Sequence, residues 1–189
     1  MMKQLLAGWL IVLPMIAFSA NPKDLEKLQK LVEAPALQMD LSNTDLRHYQ
    51  FITGKIDLQN ANLSNSNLSG VDLSKMNLAG ANLSHANLSH AILNQVNLAD
   101  ANLEYANLSN AQIQQSDLSR ANLSYANFTQ ANLQQSMFAQ ANLTCANLNQ
   151  ADLSKSDFKE ATISGATFVN TQTAEIAGYE SVIETRVGC

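Results

Sequence analysis

From Leu58 to Phe168 every fifth residue is Leu, Ile or Phe, over 23 consecutive positions. Seventeen are Leu; the others are Ile113, Ile163, Phe128, Phe138, Phe158 and Phe168. Two residues before each stands a second regular position, Ala in 15 cases and Ser in four, with Ile56, Val71, Met76 and Val96 completing the set. Between the two lies Asn in 13 units and Asp in five. The unit is typified by Ala101-Asn102-Leu103-Glu104-Tyr105, and its residues are called positions one to five below. A period of five fits neither the 3.6 of a helix nor the plain alternation of a long strand. Within a unit, however, positions one and three are two apart and share a face, while position two faces the other way. Positions four and five are polar or small, as in Ser64-Asn65, Ser69-Gly70 and Gln114-Gln115, and suit a corner. Small residues facing large ones fill an interior without collision. A strict period also means that each unit stacks on its neighbours. The pattern therefore predicts a solenoid with a filled core.

The unit resembles the pentapeptide-repeat proteins, whose consensus is A-(D/N)-L-x-x, over roughly residues 40 to 170. That resemblance implies an all-β solenoid: a right-handed quadrilateral β-helix with four units per coil. On that footing the 23 units make 5.75 coils, a tube roughly 28 Å long at about 4.8 Å per strand. Ile92 and Met137 replace Asn at outward positions and are expected to expose apolar surface, and Thr162 and Thr167 mark a fading array. Upstream, Asp40-Leu41, Asp45-Leu46 and Phe51 look like further units, two residues out of phase with Leu58. A small loop is expected near Thr53 and Gly54.

The ends differ from the array. Residues 1–20 have the form of a secretion signal: Lys3, an apolar run from Leu5 to Phe18, then small residues for cleavage after Ser19 or Ala20. Fourteen apolar residues fall short of the roughly 20 of a membrane span. No stable span is expected after cleavage, and no Cys follows the run for lipid attachment. A helix is predicted within residues 21–39. Asn21 serves as cap, Pro22 opens the first turn, and Leu25, Leu28, Leu31 and Val32 share one face. It serves as the N-terminal cap, because a solenoid end exposes strand edges and a hydrophobic cross-section. Signal, short helix and repeats together look like exported pentapeptide-repeat proteins of the cyanobacterial periplasm or thylakoid lumen. Those often carry a Cys pair between helix and repeats, which Ala34 to Met39 lacks. Periplasmic, lumenal and extracellular destinations all stay open.

Cys145, at an outward corner, and Cys189, the last residue, are the only cysteines. Export permits a disulfide between them; two free thiols and an intermolecular bridge are the alternatives. Residues 171–189 are expected to fold back as a C-terminal cap or tail, with Ile176, Tyr179, Val182 and Ile183 over the last coil.

Composition then narrows function. A hydrophobic content of 46% with a mean hydropathy of −0.10 fits one soluble domain. No phosphate loop, paired metal motif or nucleophile motif is present in the sequence, so neither enzyme activity, a cofactor nor a metal is expected. Twenty residues per coil stack the outward positions into columns. One reads Asn65, His85, Tyr105, Tyr125, Cys145, and His85, Tyr105 and Tyr125 form the candidate interaction surface for an unknown protein partner. Monomer and dimer are equally compatible with the sequence. The best-known activity in the resembling family, mimicry of duplex DNA toward DNA gyrase, is the alternative. Duplex DNA carries roughly 16 charges over about 28 Å. Between Ile56 and Asn170 the chain has eight acidic and four basic residues, net minus four. Asn stands where a mimic needs Asp, and a secretion signal leads away from gyrase. The same acidic balance disfavours nucleic-acid binding. Ice binding calls for Thr arrays, and only Thr129 and Thr144 stand at the matching outward array positions.

Overall fold

The computed structural model describes residues 39–51, 56–178 and Cys189. The expected signal segment, N-terminal helix and loop near Thr53 and Gly54, and Tyr179, Val182 and Ile183, lie outside the described residues.

Position-two residues bridge in parallel to the position-two residues 20 ahead, as Asn62 to Asn82, Asn82 to Asn102 and Asn102 to Asn122. Twenty residues are four units, so each coil has four faces. Face 1 buries Leu63, Leu83, Leu103, Leu123 and Leu143; face 2 buries Leu68, Leu88, Leu108, Phe128 and Leu148. Face 3 buries Leu73, Leu93, Ile113, Leu133 and Leu153, and face 4 buries Leu58, Leu78, Leu98, Leu118, Phe138 and Phe158. In the first coil the spacing is 22 instead, with Asp40 bridging to Asn62 and Asp45 to Asn67. The two-residue phase shift in the sequence is thus two extra residues between the first and second coils.

At the other end the array outlasts its motif. Gln172 bridges to Asp152 and Ala177 to Asp157, so residues 171–178 continue the stack past the expected limit at residue 170. Ile176 accordingly fills a position-one site of one more unit instead of lying across the end as a cap. The physical reason is that the coil is held by backbone bonds. Thr171, Gln172 and Thr173 lack the Ala-Asn-Leu chemistry yet keep the geometry, as the Gln172 amide bonded to the Ala151 carbonyl at 2.9 Å shows.

All five amides of a unit find acceptors, as burial requires. In unit 101–105 the Asn102 amide donates to Ala81 of the preceding coil (2.9 Å), while those of Leu103 and Tyr105 donate to Asn122 and Ser124 of the next (2.7 and 3.0 Å). The Ala101 amide closes the corner onto the Leu98 carbonyl at 3.1 Å. The fifth, that of Glu104, donates to the side-chain Oδ1 of Asn102 at 3.2 Å. Asn or Asp at position two thus satisfies the position-four amide within its own unit; where Gln112 and Thr167 stand there, the Gln114 and Val169 amides donate instead to Asn94 and Asn149 Oδ1 one coil back, at 3.0 and 2.8 Å.

Inside, volumes trade off along face 4. Met76 and Val96 accompany Leu78 and Leu98, whereas Ser136 and Ser156 accompany Phe138 and Phe158, whose rings stack 4.6 Å apart. The buried serines of face 4 spend their hydroxyls on carbonyls one coil back: Ser116 on Leu93 (2.7 Å), Ser136 on Ile113 (2.5 Å) and Ser156 on Leu133 (2.8 Å). No buried side-chain nitrogen or oxygen among the described residues lacks a partner.

Candidate functional site: the outward columns

Every position-five residue from Asn60 to Glu175 has a positive φ, between 56° and 63° for the non-glycine residues. This is the left-handed region, entered at the third residue of each corner turn. Asn60, Asn65, Gly70, Gly80, Asn110 and Asn170 suit it, but Tyr105, Tyr125, Gln115 and Lys155 are bulky and occupy it against their own preference. The geometry throws each of these side chains straight out from a corner, and corners of successive coils align.

The column between faces 1 and 2 carries the three aromatic residues singled out above. His85 stacks on Tyr105 with ring centroids 5.0 Å apart, and Tyr105 on Tyr125 at 4.7 Å, each pair 7° from parallel. Tyr105 is 48% exposed and Tyr125 45%. Because the rings cover one another's faces, they present edges and phenol hydroxyls to solvent. Next in the column is Cys145, joined by a disulfide to Cys189 with Cα atoms 5.7 Å apart.

The other corners are polar. Gln95, Gln115 and Gln135 form an amide ladder with steps of 3.0 and 2.8 Å. Asp100 and Arg120 pair through two bonds of 2.7 Å, and the guanidinium holds the Asp100 carboxyl below its usual range. Arg47 does the same for Asp45 in the first coil. Partial burial pushes Asp152 up, but bonds from Ser154 and Gln134 outweigh it and leave that carboxyl lowered. Tyr49, half-buried and edge-on to Phe51 at 4.5 Å, has its phenol pushed up by burial. Among the described residues no three His, Cys, Asp or Glu side chains converge in a way that could hold a metal ion.

Position two does more than point outward. On face 1 the Asn82, Asn102, Asn122 and Asn142 amides each donate to the Oδ1 one coil back, at 3.2–3.4 Å. On face 2 Asn87, Asn107 and Asn127 repeat the arrangement at 3.3–3.4 Å. Asp can make the turn bond but cannot donate along a ladder, which is a physical reason for Asn to dominate faces 1 and 2. The face 1 ladder reaches Asp40, whose Oδ1 accepts from the Asn62 amide at 3.1 Å, and on face 2 Asp45 bridges Asn67. On face 4 Met137, 46% exposed, separates Asp117 from Asp157 and keeps two carboxylates from stacking directly; Ile92 on face 3 is half-buried. Stacked columns of Gln and Asn suggest ladders from the sequence once a coil holds twenty residues; the structure places the Asn ladders at position two of faces 1 and 2.

Comparison with known proteins agrees with this architecture. The family described as "Pentapeptide repeats (8 copies)" matches residues 56–95, and that described as "Pentapeptide repeat region" matches residues 91–168. A crystal structure of a pentapeptide repeat protein, Rfr23, from the cyanobacterium Cyanothece 51142 is similar, with 28% identity and a TM-score of 0.53 over 61% of this chain and 90% of that one. A pentapeptide repeat protein of the Arabidopsis thaliana thylakoid lumen shares 28% identity over 60% of this chain and 70% of that one, with a TM-score of 0.41. QnrB1, a plasmid-mediated fluoroquinolone resistance protein, shares 16% identity over 64% of this chain and 73% of its own, with a TM-score of 0.33. No curated protein sequence matches.

Proposed function

This chain belongs to the pentapeptide repeat family, and from that premise we propose that it is an exported, non-catalytic solenoid that works as a protein-interaction module. The observation that carries the proposal is the His85–Tyr105–Tyr125 ridge. Two tyrosines nearly half exposed, at left-handed backbone positions, project from a surface made mostly of Asn, Gln, Ser and charged residues. Tyrosine is enriched where proteins dock, because it supplies large contact area with few rotatable bonds. Export is supported by the charged, apolar and small-residue succession of residues 1–20.

The test is a proximity-labelling or pull-down experiment in the native cell envelope, comparing the wild type with Tyr105→Asn/Tyr125→Asn. Asn tolerates the left-handed region, so the coil is retained while the ridge is lost. Partners recovered with the wild type and lost with the variant support the reading; an identical set from both overturns it. N-terminal sequencing of the native protein tests export separately, since an intact Met1 in the cytoplasm contradicts it.

A further inference from the structure

The charges of the tube are segregated. Between Ile56 and Asn170 there are twelve carboxylate, lysine and arginine side chains. From Ala61 onward faces 1 and 2, with the ridge between them, comprise residues 61–70, 81–90, 101–110, 121–130, 141–150 and 161–170. Glu104 is the only one of the twelve on this half; the other eleven, seven acidic and four basic, lie on faces 3 and 4 and their corners. Exposed apolar groups run the opposite way. Of the four large hydrophobic residues exposed among the described residues, Tyr105, Tyr125 and Val169 lie on the near-neutral half and only Met137 on the other. Charge depletion coinciding with exposed aromatic residues is the composition of an interface centre.

We infer that this half is a self-association surface, on which a second copy of the chain docks ridge against ridge with the two tubes antiparallel. This rests on the ridge being a contact surface, as proposed above, and adds the identity of its partner. Tyr105, stacked on both sides at 4.7 and 5.0 Å, offers only its edge and hydroxyl, and His85 and Tyr125 each have one face covered. A sugar or a nucleobase would need a free ring face, whereas a second ridge needs only side-by-side contact. In a two-fold pair the same patch meets itself, so a surface crowded with carboxylates repels its own copy. Faces 3 and 4, with seven carboxylates between Ile56 and Asn170, carry more of that penalty than faces 1 and 2, where Glu104 is the one carboxylate over that span and Asp40 and Asp45 add two in the first coil. The Asn ladders leave faces 1 and 2 with side chains already fixed by bonds at 3.2–3.4 Å, which lowers the ordering entropy of docking. Tyr105 also sits at the fourth of the seven levels that run from the Asp40 bridge to the Thr162 bridge, so pairing about it overlaps both tubes along their length.

Sedimentation equilibrium of the oxidised full-length mature protein, from low to high micromolar, decides the matter. The wild type is expected to dimerise, and Tyr105→Asn/Tyr125→Asn to remain monomeric at every concentration, with unchanged circular dichroism. Glu104→Gln removes the one charge beside the ridge and is expected to tighten the dimer several-fold. Asp117→Asn, on face 4, is expected to leave it unchanged. Should the double variant fail to fold, the contrast between Glu104→Gln and Asp117→Asn still answers the question. A monomeric wild type, or a dimer indifferent to the ridge and to Glu104, overturns the inference. A monomer that captures a different protein through the ridge overturns self-association and leaves the interaction-module reading standing.

Discussion

Asn102 lets the double role of position two be measured at one residue. Its Oδ1 accepts the Glu104 amide at 3.2 Å and the Asn122 side-chain amide at 3.2 Å, and its Nδ2 donates to Asn82 at 3.4 Å. Asn102→Ala removes all three. A net hydrogen bond contributes about 0.5–1.5 kcal/mol, and an amide left without a partner costs about 1–3. The 3.4 Å bond is near the limit of its geometry and contributes least, so the total loss is about 2–3 kcal/mol. Asn102→Asp keeps the turn bond and the acceptor for Asn122, but sets a carboxylate oxygen against the Asn82 Oδ1. Its loss is therefore smaller, about 1 kcal/mol. Amide hydrogen exchange reads the effect locally, which matters because a repeat array need not unfold as one unit. In Asn102→Ala the Glu104 amide should exchange much faster while the neighbouring Leu103 amide, bonded to Asn122 at 2.7 Å, keeps most of its protection. In Asn102→Asp the Glu104 amide should stay protected. Equal exchange at Glu104 in the wild type and the Ala variant would refute the reasoning, as would a larger loss from Asp than from Ala.

Other outcomes follow from the same geometry. Leu103→Asp places a carboxylate at a fully buried site and should unfold or fray the coil, whereas Ser109→Asp, at a corner, should shift the thermal midpoint by little; equal effects would reverse the inside–outside assignment. Met137→Asn should stabilise by about 0.5–1.5 kcal/mol in denaturant titration, since it adds a turn acceptor and a ladder donor between Asp117 and Asp157 and removes exposed apolar surface. Reducing the Cys145–Cys189 bond, which closes a separation of 44 residues, should cost about 4 kcal/mol against global unfolding, measured by melting with and without reductant. Asp45, Asp100 and Asp152 have lowered carboxyl values, so their contribution is present above the unfolded value of about 3.9 and lost as pH falls through the folded values. Melting from pH 7 to pH 2 should show a modest decline confined to the acid end, reduced in Asp152→Asn.

The interior and the period of the tube are legible in the chain because both are local. Leu at every fifth residue with Ala or Ser two before it can share a face only in an extended stretch broken by corners. The buried columns therefore follow from spacing alone, as does the two-residue slip before Leu58. Twenty residues to the coil comes from resemblance, not from spacing: a period of five closes equally well on other polygons until backbone bonds select four. Given twenty residues to the coil, the sequence already sets Tyr105 over Tyr125 and Asp100 beside Arg120 and offers Gln and Asn columns for ladders; tertiary structure decided which of these contacts form and with what geometry. The Asn ladders, the parallel rings of His85, Tyr105 and Tyr125, and the Asp100–Arg120 pair exist because coils stack at strand spacing. The continuation through Gln172 and Ala177 was illegible because backbone amides bond whatever the side chain, so a stack persists after its motif has faded. The gathering of charge onto two faces was hidden for a related reason. Twelve charged residues scattered along a linear sequence show no pattern until the coil folds the chain modulo twenty.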